Sequence, residues 1–389
     1  MRPAFATSAV RSAITNTPSG AILSAGPQIL FDGRTSLADS AELWDTVGTG
    51  TATFQTNKMN MAVGAGQYLV RQGRRAVPYY SGYPLMAELT FDNMGVEAGV
   101  LKRVGYFSSS TTAPYTANLD GFALEMDGLT YRLKAWNNGT LTVNEPLADW
   151  NGDRKIDFDF SKFSAVAFDF LWLGGAALRL WICTAQGGWE LAAVAPYIGE
   201  SVGPMTRTAQ HALRYEIRSS IGTGSMRAIC SQVSVVGDVS DKGFSYVTVN
   251  PTSLSCNSVG TTYVLQGFKL NATYNDVAAE FVNIACIRTN TSADVGVLLL
   301  LRNPTLSAPL VYTASSRYSQ SYATNQTVTA LGSTIVAEPV STASTALVDG
   351  NYRRWMHKSI GGTFDEYVLA YRPLSANQAI TGIATVKEH

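Results

Sequence analysis

Residues 165–183 read AVAFDFLWLGGAALRLWIC. Phe168, Phe170 and Trp172 alternate along the first half, Gly174 and Gly175 turn the chain, and Leu178, Leu180 and Ile182 alternate again. Side chains that recur every second residue share one face of a strand, so the stretch predicts a β-hairpin with a single apolar face. The pattern repeats in residues 122–136, FALEMDGLTYRLKAW, where Asp127-Gly128 predicts a two-residue turn. There Tyr131, Leu133 and Ala135 share one face, and Arg132 and Lys134 are expected to face water.

Working outward, period-two runs of four to eight residues bounded by Gly, Pro, Asn, Asp or Ser cover most of the chain. Amphipathic helical patterning never exceeds about two turns. The expected fold class is all-β. With 389 residues the chain exceeds the roughly 250–300 at which single cores stop growing, so two domains are expected. About a dozen strands between residues 28 and 238 fit a two-sheet jelly roll. The polar, glycine-bounded stretch Gly237–Gly243 reads as a hinge, and residues 239–389 predict a second, smaller β-sandwich. Within it Val297–Leu301 lacks alternation, which predicts a central strand covered on both faces.

Residues 1–27 are rich in Ala, Ser and Thr, with Pro3, Pro18 and Pro27. They hold too few large apolar residues to build a core and predict an extended arm. Its expected role is docking on a neighbouring subunit or partner protein, with Phe5, Ile14, Ile22 and Leu23 as apolar anchors and Arg2 and Arg11 pairing with acids. Arg2 and Arg11 also break any signal-peptide apolar core, so export is not expected. No run approaches the roughly 20 apolar residues of a membrane helix.

Charged residues make up 15% of the chain, and 29 acids balance 29 bases. That composition carries no footprint for nucleic acid or anionic lipid. Low charge and 18 tyrosines suit a surface that self-associates, and a homo-oligomer, specifically a trimer, is the expected state. Arg71–Tyr83 interleaves Arg with Tyr and reads as a strand and loop at a subunit contact. Cys183, Cys230, Cys256 and Cys286 lie far apart with no C-x-x-C pair; the first, second and fourth sit among strand formers and are expected to be buried free thiols.

Asp149, Asn151, Asp153, Lys155 and Asp157 begin like a calcium loop. Arg154 then stands where the turn glycine belongs and Phe160 where the closing carboxylate belongs, so a polar loop without metal is expected, and no cofactor. Three histidines, one of them the last residue, leave little for a His-based triad, and no nucleotide or hydrolase motif is present. The carboxylate pairs Glu125 with Asp127, Asp157 with Asp159, and Asp365 with Glu366 could serve a glycosidase in principle. Alternating acids on a strand are ordinarily solvated, and no enzyme activity is expected. Trp136-Asn137-Asn138 and Trp150-Asn151 pair an indole with amide donors, the combination that sugar platforms use, and are the candidate glycan-binding residues. The favoured reading makes each Trp a cap on the core beside a turn. Four Asn-x-Ser/Thr patterns, at Asn138, Asn271, Asn290 and Asn325, carry no meaning without export.

Taken together and in order, several stretches carry a resemblance: LVRQGRRAVPYYSGYPLMAELTF (69–91), LKRVGYF (101–107), GFALEMDG (121–128) and LADWN (147–151), then FDFSKFSAVAFDFLWLGGAALRLWI (158–182), ALRYEIR (212–218) and RAICSQV (227–233). They resemble a family of virion structural proteins of tailed bacteriophages, over roughly residues 40–389. In that family a jelly roll related to concanavalin-like lectin folds precedes a second β-sandwich. The resemblance implies a component of the virion, made in the host bacterial cytoplasm: a capsid decoration, head fibre or tail-associated protein that binds other virion proteins. The alternative is a virion adhesin that recognises a host surface glycan through its first domain. No catalytic residues come with the resemblance.

Overall fold

The computed structural model describes residues 27–34, 38–152, 158–171, 177–197, 202–236, 243–271, 277–288, 295–315, 318–322, 325–340 and 354–389, and the backbone of 345–348. The arm residues Arg2, Phe5, Arg11, Ile14, Ile22 and Leu23 lie outside them, as do Asp153 to Asp157 and Trp172. Every described element is a β-strand except one 3-10 turn, Leu147–Asp149, so the fold is all-β. The chain divides into two compact units, Met1–Asp241 and Lys242–His389.

The first unit is a jelly-roll sandwich of two antiparallel sheets. Its strands are β1 (Pro27–Asp32), β2 (Trp44–Gly48), β3 (Thr51–Gln55), β4 (Lys58–Val63), β5 (Tyr68–Gly73), β6 (Leu85–Asp92), β7 (Val100–Ser108) and β8 (Asp120–Met126). They continue with β9 (Tyr131–Asn137), β10 (Thr140–Pro146), β11 (Ser164–Phe170), β12 (Leu178–Cys183), β13 (Trp189–Ala195), β14 (Leu213–Ser219) and β15 (Gly224–Val236). The eight-stranded sheet runs β13-β12-β11-β6-β15-β4-β3, with β1 on the far half of β15; the seven-stranded sheet runs β10-β9-β8-β7-β14-β5-β2.

Alternation decides which side chains meet between the sheets. In the 165–183 hairpin, Phe168 lies opposite Leu180 and Phe170 opposite Leu178, and all four are buried in the inter-sheet core. From the seven-stranded sheet Val104, Tyr106, Phe122, Leu124, Tyr215 and Ile217 face them. Phe122 sits at the centre, its ring 5.6 Å from Tyr106, 5.3 Å from Phe168 and 4.9 Å from Phe170.

The turns depart from expectation in one place each way. Met126 pairs with Tyr131, so the β8–β9 loop has four residues, not two. The Asp127 carboxylate accepts the Leu129 and Thr130 amide N–H groups and is thereby spent on closing the loop. The two-residue turn is instead Asn138-Gly139, between the paired Asn137 and Thr140. Both turn residues have positive φ, 46° and 91°, which the hairpin's right-handed twist requires and which Asn and Gly tolerate best. Gly139→Ala is therefore expected to cost about 1 kcal/mol. That lowers the first unit's melting temperature by about 3 °C, measured by circular dichroism; an unchanged melt would show the turn to be unstrained.

The second unit contains two six-stranded antiparallel sheets and a two-stranded one. Gly296–Arg302 pairs with strands on both sides. Leu298 and Leu300 enter one hydrophobic cluster and Leu299 and Leu301 another, so this strand is covered on both faces. Gln378–Glu388 is the strand on which Phe244–Val249, Leu254–Cys256 and Ala279–Arg288 all pair.

Candidate functional site

The side of the seven-stranded sheet turned away from the core carries a continuous row of ion-paired side chains. The residues that alternate outward are Arg103 on β7, Glu125 on β8, Lys134 and Trp136 on β9, and Arg214, Glu216 and Arg218 on β14. Register places Glu125 directly opposite Arg103 and Arg103 directly opposite Glu216, a cross-strand arrangement in which opposite charges attract. Glu125 accepts from Arg103 Nε at 2.6 Å and Lys134 Nζ at 2.5 Å. Glu216 accepts from Arg103 at 3.1 Å, from Arg214 at 2.7 Å and from Arg218 Nε.

This row is buried, so Lys134 does not simply face water. Burial alone would raise the Glu216 pKa, but the guanidinium groups of Arg214, Arg103 and Arg218 outweigh it and hold the carboxyl at about 2. Burial pushes the Arg214 pKa down, opposed by Glu216. The surplus donors reach across to the segment between β7 and β8. Arg214 donates to Ser109 Oγ at 2.7 Å and to the Tyr115 carbonyl at 3.0 Å; Arg218 donates to the Pro114 carbonyl at 2.5 Å. That segment leads straight into Asp120.

Asp120 begins β8 and is itself fully buried. Its Oδ1 accepts the backbone N–H of Asn138 at 3.3 Å and of Arg207 at 2.8 Å. Among the described residues its Oδ2 has no hydrogen-bond partner; it lies 3.5 Å from Arg207 Nε and 3.8 Å from His211 Nε2. A buried acceptor left in this condition costs about 1–3 kcal/mol, so such atoms call for an explanation. Three pieces of chain converge on it. The β9–β10 turn is fixed by Gly139 N–H donating to the Leu119 carbonyl at 2.7 Å. Residues 204–211 are held by Asn137 Nδ2 on the Pro204 carbonyl and Thr142 Oγ1 on the Met205 carbonyl, both 2.8 Å. The third piece is the 109–119 segment. Asn118, Asn138 and Arg207 are exposed around this rim, and the Arg207 side chain is 50% exposed.

The candidate glycan residues fall out differently. Trp136 is only 5% exposed and packs with Phe107, Leu119 and Ala123, with the Arg103 guanidinium 5.2 Å above its ring. It is a cap on a small cluster, not an open platform. Trp150 stacks on Phe158 at 5.9 Å against the inter-sheet core and donates its indole N–H to the Glu145 carbonyl at 3.1 Å. Asn151 is spent on β13, donating to the Val194 carbonyl and accepting its N–H. Trp136 and Trp150 therefore lie on opposite faces of one sheet, and only Asn137 and Asn138 join the Asp120 rim. Asp120, Arg207 and His211 escaped the sequence reading. An Asp that opens an alternating strand is unremarkable until the chain brings residues 138, 207 and 211 to it.

Other expected groups have structural partners. Glu125 and Asp127 are each ion-paired, Glu125 with Arg103 and Lys134 and Asp127 with Arg132 at 2.7 Å. Asp159 bonds Ser161, Asp365 accepts from Asn303, and Glu366 accepts from Tyr312 at 2.6 Å. Arg71 is fully buried, bonded to Thr46 and Asp39 and lying 4.8 Å from the Trp44 ring. It serves the core, not a subunit contact. All four cysteines are free; Cys256 and Cys286 are buried, Cys183 partly so, and Cys230 is exposed because it sits on the outer side of β15. Among the described residues no group of three or more His, Cys, Asp or Glu is placed to hold a metal ion, and no helix is long and apolar enough to cross a membrane.

No protein-family model matches the chain, and no curated protein matches its sequence. Solved structures do. The carbohydrate recognition domain of Emp47p is 11% identical, covers 52% of this chain and 93% of its own, and gives a TM-score of 0.36. Arcelin-5, a lectin-like defence protein from Phaseolus vulgaris, is 10% identical, with coverages of 54% and 99% and a TM-score of 0.35. A protein of unknown function from Shewanella oneidensis MR-1 is 9% identical, with coverages of 63% and 98% and a TM-score of 0.38.

Proposed function

We propose that the chain is a non-catalytic glycan-binding protein whose first unit takes a saccharide at the Asp120 rim. The observation that carries this reading is the unsatisfied Oδ2 of a buried carboxylate. It sits among exposed amide side chains at a junction of three loops, and its other oxygen is already fixed by two backbone N–H groups. A sugar hydroxyl donating to Oδ2 completes the shell, and Asn118 and Asn138 offer both donors and acceptors to neighbouring hydroxyls. The half-exposed Arg207 guanidinium is the group that moves aside or shares the ligand. The virion setting and homotrimeric assembly rest on the sequence resemblance and the low surface charge. In that setting the unit is displayed on the particle exterior.

Glycan-array binding followed by calorimetry tests the site. Asp120→Asn keeps an oxygen for the two backbone N–H groups, so the fold should melt within about 2 °C of wild type. A hydrogen bond to a charged acceptor is worth about 1.5–3 kcal/mol, so affinity should drop at least about tenfold. Saturable binding that survives this substitution would move the site elsewhere, and an array without any saturable ligand would end the glycan reading. Labelled-antibody electron microscopy of intact particles tests the virion setting, which fails if particles carry no label.

A further inference from the structure

We propose that the second unit binds a second copy of this chain, edge to edge, through the strand Phe244–Val249. The proposal is independent of the saccharide reading, which concerns the first unit.

That strand is the outer edge of its sheet and pairs on one side with Gln378–Glu388, in a register unbroken from Phe244 to Val249. Just beyond it the Asn250 N–H donates to the Gly382 carbonyl at 3.0 Å. Backbone direction alternates along an antiparallel ladder, so Phe244, Tyr246 and Thr248 also turn their N–H and C=O groups to that neighbour. The backbone groups of Ser245, Val247 and Val249 consequently point out of the edge, and among the described residues no strand pairs on that side.

Such an edge is ordinarily guarded. β10 and β13 each carry a bulge and a glutamate, Glu145 and Glu190, and Ser333–Val340 carries a bulge with Glu338 and Pro339. β3 exposes no large apolar side chain. Phe244–Val249 has no charge, proline or bulge, yet it leaves Phe244 73%, Tyr246 38%, Val247 66% and Val249 45% exposed.

Two features select a second copy as the occupant. The first is charge: residues 243–268 contain no charged side chain, and the ionisable side chains beside the strand's start, Lys387, Glu388 and His389, are each 2% exposed. Identical edges therefore meet without like-charge repulsion. The nearest charges in sequence, Asp241 and Lys242, precede the strand and lie outside the described residues. The second is register, because Val247 is the middle one of the three outward-pointing residues. A twofold axis through it sets Val247 against Val247 and Ser245 against Val249, so all the outward backbone groups pair at once. Tyr246, whose ring is 6.4 Å from Tyr318 of the facing sheet, gains cover from the partner strand. A twofold contact makes the number of chains even: two, or six where it joins homotrimers.

Light scattering on the full chain tests the inference. At about 50 µM wild type should contain an even number of chains. Val247→Pro removes an outward N–H and leaves the pairing with Gln378–Glu388 intact, and Val247→Lys sets two like charges together across the twofold. Each should halve the mass with a melt near that of wild type, whereas Val247→Thr, which keeps the N–H and the branched shape, should retain it. Amide hydrogen exchange over residues 244–250 should be slower in wild type than in Val247→Pro; should that variant fail to fold, Val247→Lys alone decides. An odd number of chains in wild type, or a mass unchanged in the folded variants, overturns the inference. So does a monomer whose strand becomes protected only when a different protein is added, which would give the edge to a foreign strand.

Discussion

Replacing Glu216 with alanine is expected to lower the melting temperature of the first unit by about 10 °C at neutral pH, the largest effect of any single change in the charged row. The side chain is fully buried and receives three guanidinium groups. Removing one partner of a buried ion pair costs about 3–5 kcal/mol, because the partner left behind stays charged and dry; in a unit of this size each kcal/mol shifts the melt by about 2–4 °C. Acid should do the same thing gradually. The folded-state pKa of Glu216, about 2, lies below its ordinary value of 4.5. Its contribution is therefore complete above about pH 4.5 and is lost as pH falls toward 2. The difference amounts to about 3 kcal/mol. Thermal melts across that window should show wild type losing stability and Glu216→Ala losing much less. Parallel curves would mean that Glu216 is not the group that titrates.

Phe122→Ala is expected to cost about 3–5 kcal/mol, by lost burial and by the cavity it leaves. Phe122 is the point where rings from both sheets meet, and its neighbours are held by backbone pairing, so they cannot close the gap. Denaturant unfolding should show a lower midpoint with an unchanged slope. Leu129→Ala, at an 82% exposed loop position, should change stability by less than about 0.5 kcal/mol. A Phe122→Ala cost as small as that would refute the view that this ring cluster ties the sheets together.

Much of the fold was legible because large side chains carried the alternation. The 165–183 hairpin and the Val297–Leu301 strand were visible from Phe, Leu, Ile and Val alone. Gln378–Glu388 was not, although three strands pair with it, because its inward positions include Gln378, Gly382 and Ala384, whose hydropathy does not stand out from their neighbours. The Asn138-Gly139 turn had a strong local signature, yet the same letters also read as an amide donor beside a tryptophan. The charged row was hidden for a different reason. Arg, Lys and Glu alternating with apolar residues on β9 and β14 look like a solvated face. Only the non-local cover of residues 109–119, and partners a hundred positions away, make them buried. Arg71 was misread on the same ground: composition sets what a side chain prefers, and long-range packing decides what covers it.

Apart from the Arg214 bond to the Ser109 hydroxyl, the grip of Arg214 and Arg218 on the 109–119 segment falls on the carbonyl oxygens of residues 114 and 115. Further ties within it run from the Ser110 N–H to the Ala117 carbonyl and from the Tyr115 N–H to the Thr112 carbonyl. Every amino acid supplies a carbonyl, so these ties hold the path of the segment while leaving the letters at Thr111, Thr112 and Thr116 unconstrained, and all three side chains point to solvent. A library randomised at those three positions should consist largely of folded members with one shared loop shape and many different surfaces. What the loop displays can thus be changed without rebuilding the sheet beneath it.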